Sequence, residues 1–61
     1  MVVKITEGRE RAFVYAEGGI GFHKWVKGIG WIVDDEPSER IFMLARAVRA
    51  AAFPHLEPIG S

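Results

Sequence analysis

The stretch GFHKWVKGIGWIV, residues 21–33, contains most of the side chains of this sequence that could bind another molecule. Two tryptophans, two lysines, a phenylalanine and a histidine lie within the eleven positions from Phe22 to Ile32. Aromatic rings beside cations can stack on nucleic-acid bases while the cations meet phosphates. The same residue types also anchor protein interfaces. The stretch therefore predicts a contact surface if the fold places these side chains on one side.

Catalytic and metal-binding chemistry has few candidates. The chain has no cysteine, which excludes disulfides and zinc-thiolate sites, and its serines are Ser38 and Ser61. We expect His23 to lie in the core as a satisfied histidine, and His55 to lie on a loose segment between prolines. The acidic run of residues 34–36 precedes Pro37 and is typical of a helix cap. The sequence predicts no enzymatic activity, no metal and no cofactor.

The length and the charge of the chain favour a single small domain that binds something other than duplex DNA. A chain of 61 residues buries only about 60% of its unfolded surface, so its stability margin is thin. Eight basic and eight acidic residues give no net charge, whereas duplex-DNA packaging proteins are strongly basic. No apolar run is long enough for a membrane span, and the first residues lack a signal-peptide pattern. These features predict a cytoplasmic protein that has no membrane association.

The pattern of elements predicts an α+β fold. Four strand-like runs, MVVKIT, RAFVYAE, IGFHKWV and IGWIV, are separated by EGRE, Gly18-Gly19 and Lys27-Gly28. A helix then follows, with Asp34 or Asp35 as the expected N-cap and Pro37 in the first turn. We expect a four-stranded antiparallel meander followed by one C-terminal helix packed on one sheet face (ββββα). Residues 1–53 would form the domain, and residues 54–61 an irregular tail.

Two-residue turns at Gly18-Gly19 and Lys27-Gly28 would fix which side chains share a face. They place Lys4, Phe13, Lys24 and Trp31 in one row across the sheet. The face opposite this row carries no charge, and we expect it to pack under the helix. An alternative places the aromatic residues under the alanine-rich helix, with the lysines at the sheet edges. The predicted inward side chains are those of Val3, Ile5, Ala12, Val14, Ala16, Gly21, His23, Trp25, Gly30 and Ile32.

The outward face forms the predicted partner-binding site, because exposed aromatic patches of this size usually mark interactions. Its members alternate cations with aromatic rings, and they are Lys4, Arg11, Phe13, Tyr15, Phe22, Lys24 and Trp31. The helix is expected to present an apolar arc of Ile41, Leu44, Ala45, Val48, Ala51 and Ala52 to the sheet. Beside this arc lies a predicted secondary interface made of Phe42, Met43, Arg46 and Phe53.

Three functions agree with these features. The first is a non-enzymatic module that binds a protein partner and occludes its surface. Small inhibitors encoded by phages and mobile elements, such as anti-CRISPR proteins, have this profile. The second is a sheet that binds nucleic acid through aromatic rings and Lys or Arg, which zero net charge disfavours. The third is a structural subunit of a homodimer.

Overall fold

A computed structural model describes residues 1–58 as one sheet and one helix. The strands are β1 (Val2–Glu7), β2 (Glu10–Tyr15), β3 (Ile20–Val26) and β4 (Gly30–Val33), and the helix is α1 (Glu39–Ala52). The strands lie in sequence order, each neighbouring pair is antiparallel, and α1 packs on one face against β1 and β2. The predicted ββββα fold is therefore confirmed.

The first hairpin has the predicted register. Gly8 and Arg9 form the loop between β1 and β2, and Gly8 has the positive φ of 60° that glycine adopts readily. Lys4 lies opposite Phe13 and Val2 opposite Tyr15, as the sequence predicts.

The second hairpin differs from the prediction. The N–H of Gly18 donates to the carbonyl of Tyr15, and the N–H of Tyr15 donates to the carbonyl of Gly19, each over 2.9 Å. This closes a three-residue loop, residues 16–18, in which Gly18 has a φ of 105°. Phe13 therefore lies opposite Gly21 instead of Lys24. A shift of three residues is odd, so it reverses the face on which every β3 side chain lies.

The third hairpin reverses the faces a second time. The N–H of Ile29 donates to the carbonyl of Val26 over 3.0 Å, and Gly28 has a φ of 85°. Val26 consequently pairs with Gly30, and Trp31 pairs with Trp25 instead of the predicted Lys24. Because this shift is one residue, β4 returns to the face that the sequence predicts. The prediction is thus wrong for the faces of β3 and right for those of β4.

The core lies between α1 and the covered face of the sheet. Its fully enclosed side chains are small or aliphatic with one exception, and they are Ala12, Val14, Ile41, Ala45 and Phe53. Partly buried apolar side chains surround them, namely Val3, Ile5, Ala16, Ile20, Phe22, Val48 and Leu56. On β3 the side chains that face the helix are those of Ile20 and Phe22. The prediction that Gly21, His23 and Trp25 face it is wrong. Within the predicted helical arc, Ile41 and Ala45 are buried, whereas Ala51 and Ala52 are exposed.

The helix begins later than predicted. Ser38 is the N-cap, and its Oγ accepts from the N–H of Ile41 at 3.3 Å. The predicted caps, Asp34 and Asp35, precede Pro37, and a proline disfavours helical backbone angles in the residue before it. That restriction on Glu36 explains why neither aspartate caps α1.

Asp34 has another role in the connection between β4 and α1. Its carboxylate accepts from the N–H of Glu36 at 3.0 Å, and its own N–H donates to the carbonyl of Phe22 at 2.9 Å. Asp34 is buried, and these bonds satisfy its backbone N–H and one of its carboxylate oxygens there. The aspartate therefore fixes the turn that follows the sheet.

The chain folds back after the helix. Phe53 is the C-cap, and its N–H donates to the carbonyl of Arg49 at 2.9 Å. The Nε of Arg49 donates to the carbonyl of Gly18 at 2.8 Å, and its Nη1 donates to that of Glu57 at 2.6 Å. Leu56 packs on the core. Arg49 thus joins the second hairpin, the helix and the tail. The structure describes the predicted tail as far as Pro58, and residues 59–61 lie outside the described residues.

Candidate interaction surface

The side of the sheet that faces away from α1 is called the open face here. Alternation along the strands places ten side chains on it. They are Val2, Lys4, Thr6, Arg11, Phe13, Tyr15, His23, Trp25, Trp31 and Val33. No element within residues 1–58 packs over this face. Its aromatic side chains therefore remain partly or largely exposed.

Arg11, Trp25 and Trp31 form a cluster on three neighbouring strands. The guanidinium carbon of Arg11 lies 3.9 Å from the ring centroid of Trp31, a cation–π contact. The Nε of Arg11 donates to the Oγ1 of Thr6 at 3.2 Å, and this hydrogen bond holds the guanidinium in place. The rings of Trp31 and Trp25 meet edge to face, with centroids 5.6 Å apart and planes at 69°. We call these three residues the Trp–Arg cluster.

Phe13 and His23 form a second aromatic pair on the open face. Their rings are perpendicular, with centroids 5.3 Å apart. The predicted core position of His23 is wrong, because the register of β3 places it opposite Arg11 and Val33. Its Nδ1 is buried and has no hydrogen-bond partner among the described residues. The histidine thus supplies a ring to this face.

Five of the seven predicted partner-binding residues share the open face, and two do not. Lys4, Arg11, Phe13, Tyr15 and Trp31 lie together on it. Phe22 lies under the helix, where its ring is 6.0 Å from that of Phe42. Lys24 lies on the covered side, opposite Glu10 and Ile32. The predicted row of alternating cations and aromatic rings therefore does not form.

Trp25, like His23, is an open-face residue that the sequence prediction missed. The sequence predicts it in the core, yet 42% of its surface is exposed. The signal that locates it is the second hairpin, because a three-residue loop with glycine in the last position is a common alternative to a two-residue loop.

The predicted secondary interface forms only in part, because Met43 and Arg46 line one groove but Phe53 is buried. Phe53 is buried in the core, and Phe42 packs on Phe22 while the guanidinium of Arg46 lies 5.7 Å from its ring. Met43 is exposed, at 52% of its surface, and lines a shallow groove between α1 and the tail. The groove measures about 420 Å³ and is mainly apolar, with Pro54 and Leu56 on its other side.

The charges of this neutral protein are segregated. Lys4 and Arg11 are the formally charged residues of the open face, which carries no carboxylate. The carboxylates lie on the covered side of the sheet, in α1, in the connections or in the tail, and they are Glu7, Glu10, Glu17, Asp34, Asp35, Glu36, Glu39 and Glu57. The open face is therefore positive although the chain has no net charge.

Two of these carboxylates bind groups of the helix. Glu7 pairs with Arg40 at 2.8 Å. Glu10 accepts from both the hydroxyl and the backbone N–H of Ser38. The hydroxyl bond first, and the N–H bond second, lower the pKa of Glu10 below its ordinary value. These contacts tie the acidic side chains to the helix and away from the open face.

Other kinds of site find no support in residues 1–58. That part of the chain contains no group of three metal-ligating side chains that could hold an ion. None of its helices has the length and apolar character needed to cross a membrane.

No family model matches the chain, and comparisons with curated proteins and with solved structures found no similar protein. The geometry of the open face is therefore the observation on which a function can be based.

Proposed function

We propose that this protein is a binding module whose open face covers an apolar, acidic surface of a protein partner. The observation that carries the proposal is the Trp–Arg cluster, held on an uncovered sheet by the contact of Arg11 with Trp31 and Thr6. Tryptophan, tyrosine and arginine are the residues that contribute most of the energy of protein interfaces. Tyr15, 38% exposed, adds the third of these types to the same face.

The arrangement of the rings on the open face favours a protein partner over a single-stranded nucleic acid. Bases stack on ring faces that are open to solvent. One face of Trp31 is covered by the guanidinium of Arg11, and Trp25 meets Trp31 through an edge. Two cations also neutralise few phosphates. Each phosphate contact with a single strand contributes a slope of only about −0.7 to the dependence of log K on log salt concentration. The positive open face nevertheless keeps nucleic acid as the second candidate.

The open face is poorly suited to pairing with its own copy. In a two-fold arrangement, two surfaces that each carry Lys4 and Arg11 and lack carboxylates would face one another. Like charges at an interface disfavour association. A foreign acidic partner satisfies these cations, and covering its surface would act as inhibition, the mode that small phage-encoded inhibitors such as anti-CRISPR proteins use.

Capture with matched variants tests the proposal. Wild-type protein, Trp25→Ala and Met43→Ala are immobilised and exposed to a lysate of the source cells, with and without nuclease. Trp25 and Met43 are similarly exposed but lie on opposite sides of the molecule. We expect one acidic protein to be retained by wild type and Met43→Ala, lost with Trp25→Ala, and unaffected by nuclease.

Direct titration separates the two candidates. Binding of labelled 20-nucleotide single-stranded DNA or RNA is measured by anisotropy at physiological salt. We expect no submicromolar binding, because two cations attract a backbone too weakly. Submicromolar binding that Trp25→Ala abolishes would instead establish the nucleic-acid function. Capture that Met43→Ala loses and Trp25→Ala keeps would place the binding surface on the helix and reject the proposal.

A further inference from the structure

One long edge of the sheet is unpaired. β1 and β4 are the outer strands, so each has a neighbour on one side only. β1 is six residues long, and β4 is four. An exposed strand edge presents a row of free backbone donors and acceptors that can pair with another extended chain.

The hydrogen bonds around β2 show which groups of β1 are free. The N–H of Tyr15 points to the second hairpin, and that of Ala16 donates to the carbonyl of Met1 at 3.1 Å. In an antiparallel ladder, bonding alternates along each strand. Val3, Ile5 and Glu7 therefore bond to β2, whereas the N–H and carbonyl groups of Val2, Lys4 and Thr6 point outward. Nothing within residues 1–58 pairs with these outward groups.

The opposite edge is less suitable. The N–H of Asp34 donates to the carbonyl of Phe22, so the same alternation leaves Trp31 and Val33 outward on β4. Two outward residues offer a shorter ladder than the three of β1. The outward residues of both edges have their side chains on the open face, so a strand added at β1 would extend that face.

We propose that the β1 edge binds an extended, antiparallel segment of a protein partner that places a carboxylate opposite Lys4. Lys4 is the middle residue of the outward row and its one charged member. Opposite charges across paired strands are stabilising, and like charges are destabilising. Pairing of two copies centred on this residue sets one ammonium against the other, so Lys4 selects a foreign acidic strand over a second copy. The protein nature of the partner rests on the proposed function.

The Lys4→Glu variant of this same chain is the probe, because its first strand carries a carboxylate at the required position. In a mixture of the two proteins, each β1 edge can meet one of opposite charge. We expect the mixed dimer to be roughly two- to thirty-fold tighter than either self-paired dimer, the effect of exchanging like-charge pairs for opposite ones. Titration of ¹⁵N-labelled wild type with unlabelled variant, to millimolar concentration, should shift the amide signals of Val2, Lys4 and Thr6.

A proline variant provides the control. Thr6→Pro removes an outward N–H without removing a backbone bond to β2, and proline is tolerated in this way at sheet edges. It also removes the hydroxyl that accepts from Arg11, so Thr6→Val, which loses that hydroxyl and keeps the N–H, is measured beside it. Thr6→Pro protein whose amide spectrum remains folded should no longer bind the Lys4→Glu probe; Val2→Pro serves if the first variant unfolds. The proposal is overturned if millimolar probe causes no shifts, if the proline variant binds equally well, or if wild type pairs with itself as tightly as with the probe. These outcomes involve this chain alone and leave the capture test of the open face independent.

Discussion

The two faces of the sheet use opposite kinds of apolar side chain. On the covered face the strands contribute Ala12 and Val14, which are fully buried against Ile41 and Ala45. On the open face the sheet carries large rings, including Trp25, that remain exposed to solvent. Most of the aromatic surface of the sheet therefore lies outside the core. A fold that needed those rings for its own stability would bury them, so their exposure favours a role in binding.

The two faces also differ in how their side chains are held. The covered face is fixed by close packing, supported at its ends by the contacts of Ser38 and Arg49. The open face is fixed by contacts among its own side chains, namely the Trp–Arg cluster and the Phe13–His23 pair. Rings held in this way lose less conformational freedom when a partner binds. The following predictions test this difference.

The largest effect is expected at the centre of the covered face. Ile41 is 1% exposed, and Ile41→Ala should lower the free energy of unfolding by about 2–5 kcal/mol, as comparable core truncations do. Met43→Ala, two residues further along the same helix, should change it by less than about 0.5 kcal/mol. Urea melts of both variants measure the difference. Equal losses would show that α1 does not present Ile41 to the sheet.

The two large aromatic side chains of β3 should differ in how much each stabilises the fold. Phe22→Ala removes a ring from beneath the helix and should cost about 2–3 kcal/mol, somewhat less than a fully buried phenylalanine. Trp25→Ala removes a larger ring from the open face and should cost about 1 kcal/mol. Thermal melts of the two variants compare them directly. A larger loss for Trp25→Ala would mean that the faces of β3 are reversed.

That comparison also marks the limit of sequence-based prediction for this fold. The strands and the helix follow from alternation, from glycine turns and from the prolines that flank α1. The register of β3 does not, because Gly18 can be either the first residue of a two-residue turn or the last residue of a three-residue loop. The choice between them depends on which hairpin places Phe22 under the helix, which is a matter of tertiary packing. Turn residues alone do not encode it.

The sequence predicts the candidate surface correctly on β1, β2 and β4, and wrongly on β3. Lys4, Phe13 and Tyr15 belong to the first two strands, whose register is correct. Trp31 lies on the predicted face because the odd shifts of the second and third hairpins cancel. Phe22 and Lys24 lie between those two shifts and are misplaced for that reason. The same is true of Trp25, the most exposed ring of the Trp–Arg cluster.

A smaller effect is expected at the junction of sheet and helix. Ser38→Ala removes the N-cap of α1 and should cost about 1 kcal/mol. The Ser38 hydroxyl also donates to Glu10 and lowers the pKa of that carboxyl below its ordinary value of 4.5. A lowered pKa stabilises the folded protein above pH 4.5, and this stabilisation is lost as the pH falls through the lowered value.

Thermal melts between pH 7 and pH 3 test this linkage. The difference between wild type and Ser38→Ala should shrink below pH 4.5, leaving the part that comes from capping alone. The control is the same serine substitution in a Glu10→Gln background, where the difference should not change with pH. A wild-type difference that is constant down to pH 3 would show that the Glu10–Ser38 bond contributes nothing to stability.

The smallest effect concerns whether the open face is ordered before a partner arrives. The guanidinium of Arg11 lies 3.9 Å from the ring centroid of Trp31, and exposed cation–π contacts are worth about 0.5–1 kcal/mol. A double-mutant cycle with Arg11→Gln and Trp31→Leu should give a coupling of that size in urea melts, since contacting residues are not additive. Arg11→Gln paired with Met43→Ala is the control, because Met43 lies on the opposite side of the molecule, and its coupling should be near zero. If the Arg11–Trp31 coupling were also near zero, the guanidinium would not hold the ring in solution. The open face would then have to be ordered by its partner, and its binding would be weakened by the entropy of fixing these side chains.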